Sequence, residues 1–142
     1  MKASEITIRD ELVRRHLFFG GWILVVFLMA GLGFEFLVGI KLLAPARETR
    51  RLMWTLAEAH GALLGLVNLG FALTVRHLDG WSGRPRRAAS VNLVLSTILM
   101  PVGFFLGGVF FYAGDPGLGI LLVPVGGVLL FAAIFLTARA AS

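Results

Sequence analysis

Long apolar runs separated by short polar links dominate the pattern of this chain. About 20 apolar residues are needed to cross a hydrocarbon core of roughly 30 Å. Four runs are long enough, at 17–43, 52–75, 91–112 and 118–138. The stretch 4–16 instead mixes charges with apolar positions at helical spacing, which predicts a short interfacial helix leading into the first span. We therefore expect an all-α integral membrane four-helix bundle, with residues 1–142 forming one transmembrane domain.

Composition supports this class and excludes several others. The 142 residues are 58% hydrophobic and only 15% charged, which is too apolar for a water-soluble domain of this size. Cysteine is absent, which excludes disulfides, thiolate catalysis and cysteine metal sites. Glu5, Asp10 and Glu11 interrupt any positively charged N-terminal region, so we expect no cleavable signal and a first helix that is retained.

The net charge of +5 would suit nucleic acid, but the basic residues border the spans instead of forming a patch on a soluble fold. No nucleic-acid partner is therefore expected. Nine basic residues lie on one side of the spans: Lys2, Arg9, Arg14, Arg15, Arg76, Arg84, Arg86, Arg87 and Arg139. Four lie on the other: Lys41, Arg47, Arg50 and Arg51. The positive-inside rule then predicts a multi-pass protein of the bacterial inner membrane with both termini cytoplasmic, and the basic links predict contact with anionic lipid headgroups.

Apart from Lys41 at the very end of the first span, three ionisable residues lie inside the first two spans: Glu35, Glu58 and His60. Such residues are functional hypotheses by default, because burying them in a bilayer is unfavourable. Glu35 and His60 each lie roughly 12 Å from the same outer boundary, at about 1.5 Å per residue. Connected antiparallel helices normally pack as neighbours, so we expect these two side chains to meet. Glu58, about 9 Å deep, is expected to pair with Arg50 or Arg51.

Helical geometry separates the neighbours Glu58 and His60. At about 100° per residue they lie about 200° apart on the helix, so they face different partners. A carboxylate that orients an imidazole leaves the second ring nitrogen for a proton, a metal or a haem iron. The alternative for the Glu35–His60 pair is a hydrogen bond that only joins two helices. If a metal binds, His60 is its candidate ligand, and water or another chain must complete the shell.

Small residues predict where helices pack. Gly31 and Gly39 lie on the same face of span one as the carboxylate between them. On span two the stripe consists of Glu58, Gly61, Gly65, Asn68 and Ala72. Small residues of this kind allow close packing against another helix. In the same half of the membrane, Ser96 or Thr97 of span three is expected to contact Asn68. Span four has no ionisable residue before Arg139, and we expect it to face lipid or a partner subunit.

Two stretches resemble known proteins. The text EAHG at 58–61 is similar to the His-Gly of the second membrane helix in haem–copper oxidase catalytic subunits, where the histidine ligates a low-spin haem. The resemblance implies a haem or another porphyrin at His60. Because His16 and His77 fall at the membrane boundary, a second axial histidine would have to come from another chain. From Glu35 to Phe71, with ETRRLMWTLAEAHGALLGLVNLGF, the chain resembles uncharacterised bacterial four-span membrane proteins, which supports the topology and implies no activity.

The sequence contains no phosphate-binding loop, no HExxH and no GxSxG, so the common catalytic motifs are missing. We expect a non-enzymatic protein without a cofactor, acting as an accessory or assembly subunit of a membrane complex or as a homo-oligomer. The alternative is a redox or proton-handling protein in which His60 is the ligand or proton carrier and Glu35 its partner. A transport pathway built at an oligomer interface is a further alternative.

Overall fold

The computed structural model of the protein describes residues 3–40, 48–78, 80–112 and 114–142. Four long helices account for most of them: α1 (Ala3–Gly39), α2 (Glu48–His77), α3 (Gly83–Val109) and α4 (Leu122–Ala141). All four are long and apolar enough to cross a membrane, with α4 extended by the 3-10 helix Leu118–Leu121. The prediction of an all-α, four-helix membrane protein is confirmed.

The first helix corrects one expectation. The structure shows α1 as a single helix of 37 residues, about 55 Å long at 1.5 Å per residue, so the stretch 4–16, which is expected to lie at the interface, is its first part and not a separate element. The physical reason is that neither glycine nor proline interrupts the chain before Gly20. The predicted end of the span at Leu43 lies outside the described residues, as do Lys2, Lys41 and Arg47.

Consecutive helices pack as antiparallel neighbours, α1 on α2, α2 on α3 and α3 on α4. The bundle therefore has two ends. The termini end holds the starts of α1 and α3, joined by a contact between His16 and Ser90. The opposite end holds the start of α2 and the α3–α4 turn, where the Thr49 hydroxyl donates to the Gly114 carbonyl at 2.7 Å.

A tight hairpin at Asp115–Pro116 connects α3 and α4. Strand β1 (Phe111–Tyr112) pairs antiparallel with strand β2 (Asp115–Pro116). Gly114 has a φ of +99°, a conformation that residues with a Cβ rarely adopt. The hairpin forces α3 and α4 to run side by side in opposite directions.

Helices α2 and α3 form the centre of the bundle. In their most apolar windows 39% and 44% of residues are buried, against 11% for both α1 and α4. One core cluster lies at the termini end and consists of Phe71, Val75, Trp81, Ala89, Leu93 and Ala133. A smaller one lies at the opposite end and consists of Met53, Ala57 and Phe104. The two outer helices consequently present broad apolar faces to their surroundings.

Candidate functional site

The structure gives Glu35 and His60 different partners. Glu35 Oε1 lies 3.7 Å from Arg51 Nη2, and the two side chains are 63% and 59% exposed. The His60 ring instead packs against Phe104 of α3, with ring centroids 4.7 Å apart. The expected contact between Glu35 and His60 is therefore not formed. The two residues are expected at equal depth in the membrane, but the depth of a residue does not fix the direction in which its side chain points.

Glu58 takes the position towards α1 that was expected for His60. Its carboxylate lies against Gly31, where an added Cβ would collide with it. The expected pair with Arg50 or Arg51 is not seen among the described residues: Arg51 reaches Glu35, and Arg50 Nε donates to the Gly108 carbonyl at 3.1 Å. Glu58 and His60 lie on different sides of α2, as the predicted angle of about 200° requires. The residue that faces α1 is Glu58, however, and His60 faces α3.

A cavity of about 220 Å³ opens beside the Glu58 carboxylate. Its walls are aromatic and apolar, and include Phe27, Phe34, Trp54 and Phe105. Among the described residues nothing hydrogen-bonds to the carboxylate or pairs with it. A carboxylate beside an apolar cavity is energetically unfavourable unless a partner compensates its charge.

Most of the small residues predicted to pack lie at the α1–α2 contact. A Cβ at Gly61 would collide with the Phe27 ring, and one at Gly65 would lie 3.0 Å from the Gly20 carbonyl oxygen. Apart from its own helix backbone, no described residue has an atom within 4 Å of the Cβ position of Gly39, so Gly39 lies outside this contact. Gly20 was not among the predicted residues, although its lack of a side chain brings the two backbones together.

The most extensive polar cluster lies at the termini end and is centred on His16, which is 0% exposed. His16 Nδ1 lies 2.7 Å from Asn68 Oδ1, and His16 Nε2 lies 2.8 Å from Ser90 Oγ. The Asn68 amide nitrogen donates to Thr97 Oγ1 and to the Leu64 carbonyl, both at 2.8 Å. We call His16, Asn68, Ser90 and Thr97 the polar network. It joins α1, α2 and α3.

Donors and acceptors in the polar network match one another. An amide oxygen only accepts, so the proton of His16 lies on Nδ1 and donates to Asn68. The amide is oriented in turn by its nitrogen, which faces two acceptors. His16 Nε2 then accepts from the Ser90 hydroxyl, and the Thr97 hydroxyl donates to the Leu93 carbonyl at 2.8 Å. The chain of hydrogen bonds ends at backbone carbonyls, which cannot pass a proton on.

Sequence reasoning found one half of this network and missed the other. The contact expected between Asn68 and Thr97 forms, while Ser96 donates to the Met100 sulfur at 3.6 Å. The sequence predicts His16 at the membrane boundary, too far from His60 to be a second haem ligand, and predicts no contact for it. The available signal was Gly20, one turn after His16, because residues four apart share a helix face.

Neither a metal site nor a known relative identifies the function. In the described part of the chain, no three His, Asp or Glu side chains come together as candidate metal ligands. No family model, curated protein or solved structure matches the chain.

Proposed function

We propose that the protein is a non-enzymatic membrane subunit, which assists or assembles a membrane complex or associates with copies of itself. The observation that carries this proposal is the closed polar network. Each of its four side chains bonds to another or to a backbone carbonyl. Such interhelical hydrogen bonds fix helix positions, and this one leaves none of its side chains poised to react with a substrate.

The outer helices supply surfaces for association. On α1, Leu32 and Phe36 are 70% and 65% exposed, and on α4, Val128 and Phe131 are 69% and 71% exposed. A second membrane helix covers such a face by close van der Waals packing. Association through α1 or α4 would leave the central helix pair unchanged.

Cysteine cross-linking in native membranes tests this proposal, because the chain contains no cysteine of its own. Phe36→Cys on α1 and Phe131→Cys on α4 place one thiol on each outer face. The matched control is Leu66→Cys, which is 54% exposed on the central helix α2. We expect a discrete disulfide-linked dimer or a discrete adduct, obtained with a thiol-reactive cross-linker, from an outer face and none from Leu66→Cys. Monomers from all three variants, and a monomeric mass in lipid nanodiscs, would contradict the proposal.

The geometry of His60 favours a second candidate function, ligation of a haem or metal or transfer of a proton. His60 Nδ1 lies 2.8 Å from the Leu56 carbonyl and must donate to it, so Nε2 is the nitrogen that carries the lone pair of a neutral ring. A backbone carbonyl thus fixes the tautomer of His60, whereas the sequence predicts that the Glu35 carboxylate does so. The half-buried ring packs on Phe104, and Nε2 would be the ligand atom.

An absorption spectrum and a metal analysis of the purified protein test the cofactor version of this second candidate. A Soret band that disappears in His60→Ala supports ligation. His77→Ala is the matched control, because His77 Nδ1 makes the same contact with its own helix, 2.8 Å from the Leu73 carbonyl, but its side chain is exposed. A colourless, metal-free wild-type protein would rule out the ligand role and leave the subunit proposal standing.

A further inference from the structure

A cavity of about 670 Å³ lies at the termini end, between the first turns of α1 and α3. Four arginines line it, Arg15 from α1 and Arg84, Arg86 and Arg87 from α3, and among the described lining residues the one carboxylate is that of Glu11. The cavity is therefore strongly basic. Its shape is held in place by the polar network, because Ser90 lines the cavity and also bonds to His16.

Arg86 is the most informative of these residues, since it is only 5% exposed. Its guanidinium donates through Nη1 to the Trp81 carbonyl at 3.0 Å. Among the described residues no carboxylate pairs with it. A buried cation without a counter-charge is strongly unfavourable. An anion bound in the cavity would supply the missing negative charge.

The other polar groups of the cavity favour a phosphate as that anion. Guanidinium groups match two phosphate oxygens at once and bind them through charge-assisted hydrogen bonds. The cavity also lies at the start of α3, where the Ser82 side chain makes no capping hydrogen bond. The first N–H groups of a helix are unsatisfied within the helix and attract anions.

The apolar surroundings favour a phospholipid over a free phosphate ion. Ile8, 49% exposed, and Val91, 40% exposed, form part of the cavity wall. From Val91 a stripe of exposed apolar residues continues along one face of α3 through Leu95, Ile98 and Val102. Their spacing of four, three and four residues keeps them on one helix face. An acyl chain could lie along this stripe with its phosphate among the arginines.

We propose that this cavity binds the phosphate of an anionic phospholipid, with Arg86 as its buried counter-charge and Arg84 and Arg87 at its sides. The candidate span of α3 begins at Gly83, which places the cavity at the level of the lipid headgroups. This proposal is independent of the proposed function as a subunit, since a lipid could bind to a monomer.

The test is a lipid titration of the full-length protein in neutral detergent. Native mass spectrometry measures lipid binding, and thermal stability replaces it in samples whose salt prevents mass measurement. The probes are phosphatidylglycerol, phosphatidylcholine and inorganic phosphate. Working at about 1 M salt screens surface attraction beyond roughly 3 Å. We expect wild-type protein to bind phosphatidylglycerol at least about tenfold more tightly than phosphatidylcholine. The free energy of one charge-assisted hydrogen bond corresponds to a difference in Kd of about this size.

Arg86→Gln should remove that preference, whereas Arg139→Gln should retain it within about twofold, because a surface charge on α4 is screened. Should Arg86→Gln fail to fold by circular dichroism, the Arg84→Gln/Arg87→Gln variant decides, since both side chains are exposed and it leaves the Trp81 contact intact. Equal affinity for the two lipids, or an unchanged preference in the cavity variants, would overturn the proposal. Stabilisation by inorganic phosphate equal to that by phosphatidylglycerol would assign the cavity to a free anion and overturn the lipid.

Discussion

At the termini end, polar side chains between the helices bond to one another, while at the opposite end the Glu58 carboxylate lies beside an apolar cavity without a described partner. Within the described part of the chain, each end also contains a buried indole N–H without an acceptor, that of Trp81 and that of Trp54 respectively. The difference between the ends therefore concerns the hydrogen-bonded network and the carboxylate. We infer that side chains bonded to one another stabilise the termini end, whereas at the opposite end Thr49 and Arg50 bond to backbone carbonyls and the Glu58 carboxylate takes no part.

The largest expected change in the free energy of unfolding is for Asn68, which bonds to both His16 and Thr97 in the polar network. Asn68→Ala removes the acceptor of His16 Nδ1 and the amide that reaches Thr97, and it leaves a void. We expect a loss of about 2–3 kcal/mol in the free energy of unfolding, because a buried donor loses its partner and packing is lost as well. The measurement is unfolding in mixed micelles titrated with dodecyl sulfate, followed by circular dichroism.

Asn92→Ala is the matched control for this substitution. Asn92 lies on α3, close to Ser90 in the chain, and is half-buried; among the described residues it makes no hydrogen bond. Its truncation should change the free energy of unfolding by less than about 0.5 kcal/mol. Similar losses from the two asparagine variants would show that the polar network does not stabilise the termini end.

A smaller effect is expected where α1 and α2 approach most closely. A Cβ at Gly20 would lie 2.8 Å from the Gly65 carbonyl oxygen, whereas one at Gly21 would have no neighbour within 4 Å. Gly20→Ala should destabilise the protein by about 1–2 kcal/mol through overpacking against backbone. Gly21→Ala should stabilise it by about 0.5 kcal/mol, because alanine favours a helix interior. The same dodecyl sulfate titration measures both, and effects of equal sign would contradict the packing described.

The four helices could be predicted from the sequence because length and hydropathy alone decide whether a segment can cross a bilayer. The pairing of side chains could not, since it depends on helix rotation. The predicted angle between Glu58 and His60 around the helix axis agrees with the structure, but nothing in the sequence of α2 alone shows which of the two side chains faces α1. Gly31 decides this, because it makes room for the Glu58 carboxylate.

His16 was missed for a related reason. Its distance from the start of the apolar run places it at a boundary, where a histidine is usually solvated. The structure buries it because α1 continues past that boundary and packs there beside α2 and α3. The arginine cavity was also beyond sequence analysis, because its walls come from two helices that are distant in the chain.

Glu58→Leu tests the opposite end with an effect of the other sign. Removing a carboxylate that has no described partner and filling the apolar cavity should stabilise the protein by about 1 kcal/mol. Glu58→Gln, which keeps the shape and removes the charge, should give a part of this gain. If Glu58→Leu instead destabilises the protein as Asn68→Ala does, the carboxylate has a stabilising partner and the two ends are alike. The measurement is again the dodecyl sulfate titration.

The smallest effect is expected for the Glu35–Arg51 ion pair, which is more than half exposed on both sides. Exposed pairs of this kind contribute little because solvent and salt screen them. In a double-mutant cycle of Glu35→Gln and Arg51→Gln, we expect a coupling energy below about 0.5 kcal/mol that declines further with added salt. A coupling above about 1 kcal/mol that salt leaves unchanged would place the pair in a medium of low dielectric constant. The opposite end would then also be held together by its charged residues, and its contrast with the termini end would rest on Glu58 alone.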